Sequence, residues 1–232
     1  MSTNKLVEPA TALPEARELS SFSRRKFLGY AGALTSLAAI ATACNKNDDD
    51  NDGVNLGSGD PGILNYAYAL EQLEAAFYAQ VVLTPYSGIT GPETTYLTDI
   101  RDHEIAHREF FKKALGGGAI QALEVNFSSI DFSSRASVLG TAKAFEDLGV
   151  SAYNGAGKLI TSPDYLLLAG KIVSVEARHA ALIRDLLSNG TFADSTVIDA
   201  NGLDKSRTPA EVLAIAAPFI KTKLNASNLP TS

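Results

Sequence analysis

Two short stretches, Glu104-Ile105-Ala106-His107 and Glu176-Ala177-Arg178-His179, have the form Glu-x-x-His and sit in runs with a helical apolar period. Residues three apart share one helix face, so each stretch points a carboxylate and an imidazole at the same spot. The two belong to a longer repeat. With Glu104 set on Glu176, 72 residues on, Ile100 falls on Ile172, Phe111 on Ile183 and Leu115 on Leu187, which is one apolar helix face written twice. At an offset of 75 residues, Glu71 falls on Glu146, Leu73 on Leu148 and Tyr78 on Tyr153. The order along the chain is Glu, Glu-x-x-His, Glu, Glu-x-x-His. Ordinary helix-surface charges have no reason to repeat in register on two helix pairs.

This four-part order resembles the ferritin-like di-metal carboxylate proteins. In those, a Glu from each of two helices and a Glu-x-x-His from each of the other two project into a four-helix bundle. The stretch Asn65-Tyr66-Ala67-Tyr68-Ala69-Leu70-Glu71-Gln72-Leu73-Glu74-Ala75-Ala76-Phe77-Tyr78 is similar, more narrowly, to bacterial ferritin-like domain proteins, most of which lack an assigned reaction. The resemblance covers about residues 60–225. It implies an all-α, ferritin-like four-helix bundle with one long crossover and a short C-terminal helix.

Two divalent ions held close together need several carboxylates to offset their charge. Carboxylate oxygens suit harder ions and imidazole fixes geometry, so four Glu and two His predict a dinuclear Fe or Mn centre. The expected ligands are Glu71, Glu104, His107, Glu146, Glu176 and His179. Glu74 lies one turn from Glu71, but its repeat mate is Gly149, so symmetry does not support it as a ligand. We read it as a carboxylate supporting the ligands, with Gly149 leaving a gap that could admit a small substrate. Tyr78 and Tyr153 lie two turns from Glu71 and Glu146; core packing is the default reading, and a hydrogen bond to a ligand or a radical role the alternative.

His103 completes His103-Glu104-Ile105-Ala106-His107, the zinc-protease pattern in which two His hold zinc and Glu is the base. That reading needs a further ligand, for which Glu124 is available, and leaves Glu71, Glu146, Glu176 and His179 unexplained. The mate of His103 is Val175, so the repeat does not require it. We place His103 behind a ligand or at the surface.

Composition excludes several classes. There is one Cys, Cys44, hence no internal disulfide and no Cys-built iron–sulfur or zinc site. The only Met is Met1, which excludes a Met-ligated haem. Net charge is −6 and Lys and Arg are not clustered, so no nucleic-acid partner is expected. The hydrophobic share, 45%, suffices for a sizeable core.

In chain order, residues 1–43 read as an export signal. Ser23-Arg24-Arg25-Lys26-Phe27-Leu28 resembles a twin-arginine motif and precedes an apolar run to Ala43. Ala41-Thr42-Ala43-Cys44 resembles a lipobox, with Ala41 where Leu is usual, so Cys44 is the expected lipidation site and membrane anchor. An exported, lipid-anchored protein of the bacterial envelope follows, facing the periplasm or the outer-membrane surface. Residues 44–59, with Asp48, Asp49, Asp50 and Asp52, read as an acidic flexible tether. Asp60-Pro61 reads as N-cap and first turn of a helix to about Val82. A second helix lies within Thr94–Leu115 and stops at three glycines. Residues 119–133 lack a helix period and form the crossover. A third helix runs from about Ser134 to Leu159, and a fourth is capped at Ser162-Pro163-Asp164 and reaches Leu187. Thr208-Pro209-Ala210-Glu211 opens a last helix to about Ile220, with Pro218 bending its end, and 226–232 is a tail. Such a site predicts an oxidoreductase acting on a small oxidant, dioxygen or hydrogen peroxide; the alternative is a metal-binding lipoprotein with little turnover.

Overall fold

The computed structural model describes residues 53–231. The twin-arginine stretch, Cys44 and the Asp48–Asp52 run lie outside these residues. Helices α1 (Gly59–Leu83), α2 (Gly91–Leu115), α3 (Arg135–Gly157) and α4 (Pro163–Leu187) form the bundle, followed by the short α5 (Pro209–Ala216). The all-α reading holds. α1 packs chiefly on α2 and α3 on α4, and the two hairpins meet mainly along α1 and α3. α1 is buried on nearly every face, which its run of Leu, Ala, Tyr and Phe permits.

Local chemistry sets the ends. Thr90 and Glu93 form a reciprocal capping box at α2, as Thr208 and Glu211 do at α5, and the Ser134 and Ser162 hydroxyls accept from the backbone of α3 and α4. Gly116–Gly118 turn the chain out of α2, and Ala217–Phe219 tighten into a 3-10 turn around Pro218. One expected cap is different. The N-cap of α1 is Ser58, and the Asp60 carboxylate instead accepts from Thr161 N and Ser162 N, both at 2.8 Å, and from the Thr161 hydroxyl. It braces the α3–α4 turn, where unpaired N–H groups before a helix favour an anion.

The crossover is strapped to α1 by two buried amides. Asn65 accepts from Ile120 N and donates to the carbonyls of Leu56 and Gly118; Gln72 accepts from Leu123 N. Residues 54–56, expected in the tether, are ordered against the bundle. β1 (Val54–Asn55) pairs in parallel with β2 (Leu224–Asn225), and Leu56 is fully buried. Buried Arg184 of α4 is doubly bonded to Asp147 of α3 at 2.8 Å and holds the loop between α4 and α5 by donating to Thr191 O and Thr196 Oγ1. Among the described residues no helix is long and apolar enough to cross a membrane.

Candidate metal centre

The repeat brings the six expected residues to one place at mid-bundle. Glu71, Glu104, Glu146 and Glu176 are fully buried, His179 nearly so, and His107 half-buried. They form two overlapping quartets: Glu71, Glu104, His107 and Glu176, then Glu104, Glu146, Glu176 and His179, with one donor atom of each within 4.8 Å of the others in its quartet. Glu104 and Glu176 belong to both. His107 Nδ1 lies 2.9 Å from Glu176 and 3.4 Å from Glu71, and His179 Nδ1 lies 2.9 Å from Glu104 and 3.5 Å from Glu146. Each imidazole thus faces the other motif's glutamate, and the pattern is two-fold.

The tyrosines do more than pack. Tyr78 donates to Glu146 Oε1 at 2.5 Å, and Tyr153 donates to Glu71 Oε1. Each hydroxyl comes from the opposite hairpin and ties one oxygen of a glutamate, leaving Oε2 facing the imidazole. A hydroxyl at this position serves packing and bonding at once, so sequence alone did not separate the two.

Eight inward atoms lack a hydrogen bond of good geometry: Glu71 Oε2, Glu146 Oε2, both oxygens of Glu104 and Glu176, and the Nδ1 atoms of His107 and His179. Buried polar atoms are nearly always paired, so a set of orphans converging on one point asks for a ligand. The donors are oxygen and imidazole nitrogen, and the cluster can bind metal ions in this arrangement.

Charge supports the same view. Burial and mutual repulsion push Glu74 and Glu176 well above the ordinary carboxylate range, raise Glu146, and bring Glu71 to about 7. Burial would also raise Glu104, but contact with both imidazoles outweighs it and lowers Glu104 to about 2. Burial disfavours charging of the imidazoles, yet the surrounding carboxylates lift His107 to about 12 and His179 to about 10. Without metal, the cluster is neutralised by protons that cations would displace.

Glu74 is buried but belongs to neither quartet. The gap expected at Gly149 is filled by Glu74 itself: a Cβ on Gly149 would lie 3.2 Å from Glu74 Oε1 and 3.5 Å from Glu176 Oε2. What remains there is a void of about 10 Å³, the size of one water at most. His103 stands outside the cluster. Its Nδ1 lies 2.9 Å from His179 Nε2 and the two rings stack, with 10° between planes. Neither quartet contains His103, and Glu124 is exposed on the crossover, so among the described residues no His103–His107–Glu124 set assembles.

The profile of the ferritin-like domain family matches residues 59–189, more than half of the chain. The protein belongs to that family. No curated protein matches the sequence.

Proposed function

We propose that Glu71, Glu104, His107, Glu146, Glu176 and His179 hold two Fe or two Mn ions, and that the protein performs redox chemistry on dioxygen or hydrogen peroxide at the bacterial envelope. The observation that carries this reading is the convergence of eight unpaired buried atoms into two quartets sharing Glu104 and Glu176. Two redox-active ions with open positions supply electron transfer to a small oxidant when bound. The protein's own part is positioning. Tyr78 and Tyr153 fix the outer glutamates, Glu104 and Glu176 span both poles, and the His179 Nε2–His103 contact aims Nδ1 inward. Burial of the glutamates excludes bulk water. That enclosure, with Glu74 filling the space beside Gly149, favours as second reading a site that binds metal with little turnover.

The test is metal content and metal-dependent melting of purified variants. Glu71→Ala and Glu146→Ala should lose metal to similar extents, and Glu74→Ala much less. Metal at a hundred times its Kd adds about 2.7 kcal/mol, or roughly 5–10 °C in a domain of this size; that increment should vanish in the first two variants. If Glu74→Ala abolishes it and Glu71→Ala does not, the ligand set is wrong. Fe(II) or peroxide turnover separates the two readings. The envelope location rests on the twin-arginine-like motif and Cys44, and Cys44→Ser should release the protein from the membrane fraction.

A further inference from the structure

The candidate site is two-fold, but the bundle on either side of it is not. Beyond Tyr78 one end is plugged with aromatic rings. Phe77 lies 5.2 Å from Phe145 and 6.0 Å from both Phe127 and Phe132 of the crossover, and Phe145 lies 4.8 Å from Phe219. At the other end, where α1 and α4 begin and α2 and α3 finish, a cavity of about 30 Å³ reaches Tyr153, whose hydroxyl holds Glu71.

The internal repeat accounts for the difference. Five alanines line the cavity; Ala67 is matched by Ala142, whereas the other four, Ala114, Ala152, Ala156 and Ala169, have larger mates. The mates of those four at the plugged end, by the same offsets of 72 and 75 residues, are Leu186, Phe77, Val81 and Leu97. Large side chains on one half are methyl groups on the other. Phe110 and Phe111 are bulkier than their mates Leu182 and Ile183 and recover part of the space, yet the void remains.

Size and polarity select what can enter. A cavity that holds benzene measures about 150 Å³, so an aromatic ring does not fit and a diatomic molecule does. The lining is apolar except for three phenols, of which Tyr165 belongs to the half-buried outer wall. The Tyr153 hydroxyl is engaged with Glu71; that of Tyr66 is buried, 1% of the residue being exposed, and has no hydrogen-bond partner. A buried water needs two to four polar partners, and hydrogen peroxide has at least as many hydrogen-bonding groups to satisfy. The single free hydroxyl in its buried part, that of Tyr66, provides for neither. Ala114 on α2 and Ala169 on α4 are among the half-buried residues of the lining, on its outer side.

We propose that this cavity is the dioxygen entrance of the centre: an apolar, gas-sized chamber that delivers dioxygen beside Tyr153 and disfavours water and hydrogen peroxide. The inference rests on the dinuclear reading above and narrows its oxidant to one of the two.

The experiment begins with metal-free protein. Xenon under pressure, followed by 129Xe NMR or in pressurised crystals, should occupy the chamber, and dissolved dioxygen should broaden the methyl resonances of Ala152 and Ala156. Ala169→Leu and Ala114→Leu, which insert the size found at the plugged end, should each abolish both effects; a thermal melt of each shows that it is folded. In Fe(II)-loaded protein the same variants should react with dioxygen at least tenfold more slowly and with hydrogen peroxide at the wild-type rate. No xenon in the wild type, no methyl broadening, or an equal slowing with both oxidants overturns the proposal. A protein that takes up xenon but no metal overturns the dinuclear reading instead, because the gas-binding arm needs no metal.

Discussion

Three glycines of α3 offer a graded test of how closely the site and the loop over it are packed. Replacing Gly by Ala inside a helix gains about 1 kcal/mol, so differences between positions report space alone. At Gly140 nothing lies within 4 Å of an added Cβ. Gly140→Ala should realise the full gain and raise Tm by roughly 2–4 °C. At Gly149 the Cβ would meet the tip of the Glu74 side chain at 3.2 Å, which can yield by a few tenths of an ångström. The gain should be about cancelled, leaving roughly ±0.5 kcal/mol. At Gly155 the Cβ would fall on the backbone carbonyl of Arg207. The loop must lift, straining or breaking Arg207 N–Ser151 O (3.0 Å) and Arg207 Nη1–Ser151 Oγ (2.5 Å). Overpacking costs about 1–3 kcal/mol and each hydrogen bond about 1. After the propensity gain, Gly155→Ala should lose about 1–4 kcal/mol. Urea unfolding of metal-free protein, followed by circular dichroism, reads all three. If Gly155→Ala is as stable as Gly140→Ala, the loop does not lie on the helix. A loss beyond about 2 kcal/mol at Gly149 would show that the Glu74 carboxylate cannot move.

Other consequences follow from the centre. Tyr78→Phe and Tyr153→Phe each remove one charge-assisted bond, and calorimetric titration should show similar losses of metal affinity, about 10- to 100-fold; markedly unequal losses would break the two-fold assignment. His103→Ala should keep nearly full metal stoichiometry while His107→Ala does not, and comparable losses by elemental analysis would place His103 among the ligands. Metal-free stability should fall as pH rises from about 5 to 9. Glu71, raised to about 7 from 4.5, and His179, raised to about 10 from 6.5, hold protons in the folded state that the unfolded chain has released, so their contribution is full below the lower value and is lost towards the upper. Glu104 acts oppositely, but only between 4.5 and about 2. Unfolding free energies that rise over pH 5–9 would contradict this proton distribution.

The six site residues were legible because Glu-x-x-His sets a carboxylate and an imidazole at helical spacing, and the internal duplication repeats that spacing in register. Helix ends were legible at Ser162-Pro163 and Thr208-Pro209, whereas the second helix, expected within Thr94–Leu115, begins earlier, at Gly91 behind the Thr90–Glu93 capping box. Partners distant in the chain were not legible. Asp60 looks like a cap from its neighbour Pro61, whereas its bonds go to Thr161 and Ser162, which no local pattern reveals. The stacking of His103 on His179 depends on how α2 and α4 face each other. Gly149 suggested empty space because a sequence shows the missing side chain and not the Glu74 carboxylate that reaches into it. The one signal left unused was the size difference between repeat mates, Ala152 against Phe77 and Ala169 against Leu97, which marks the unfilled end of the bundle.

The short pairing of β1 with β2 governs how the domain responds to mechanical tension from its N-terminal side. A pull at residue 53 directed along β1 would load Val54 N–Lys223 O and Leu56 N–Asn225 O, at 2.8 and 3.0 Å, together in shear instead of unzipping them in turn. Such a load would be shared with the C-terminal segment before it reached α1. Glu71, the first site residue along the chain, lies behind that clasp, so traction along β1 would have to break both bonds before it acted on α1 alone.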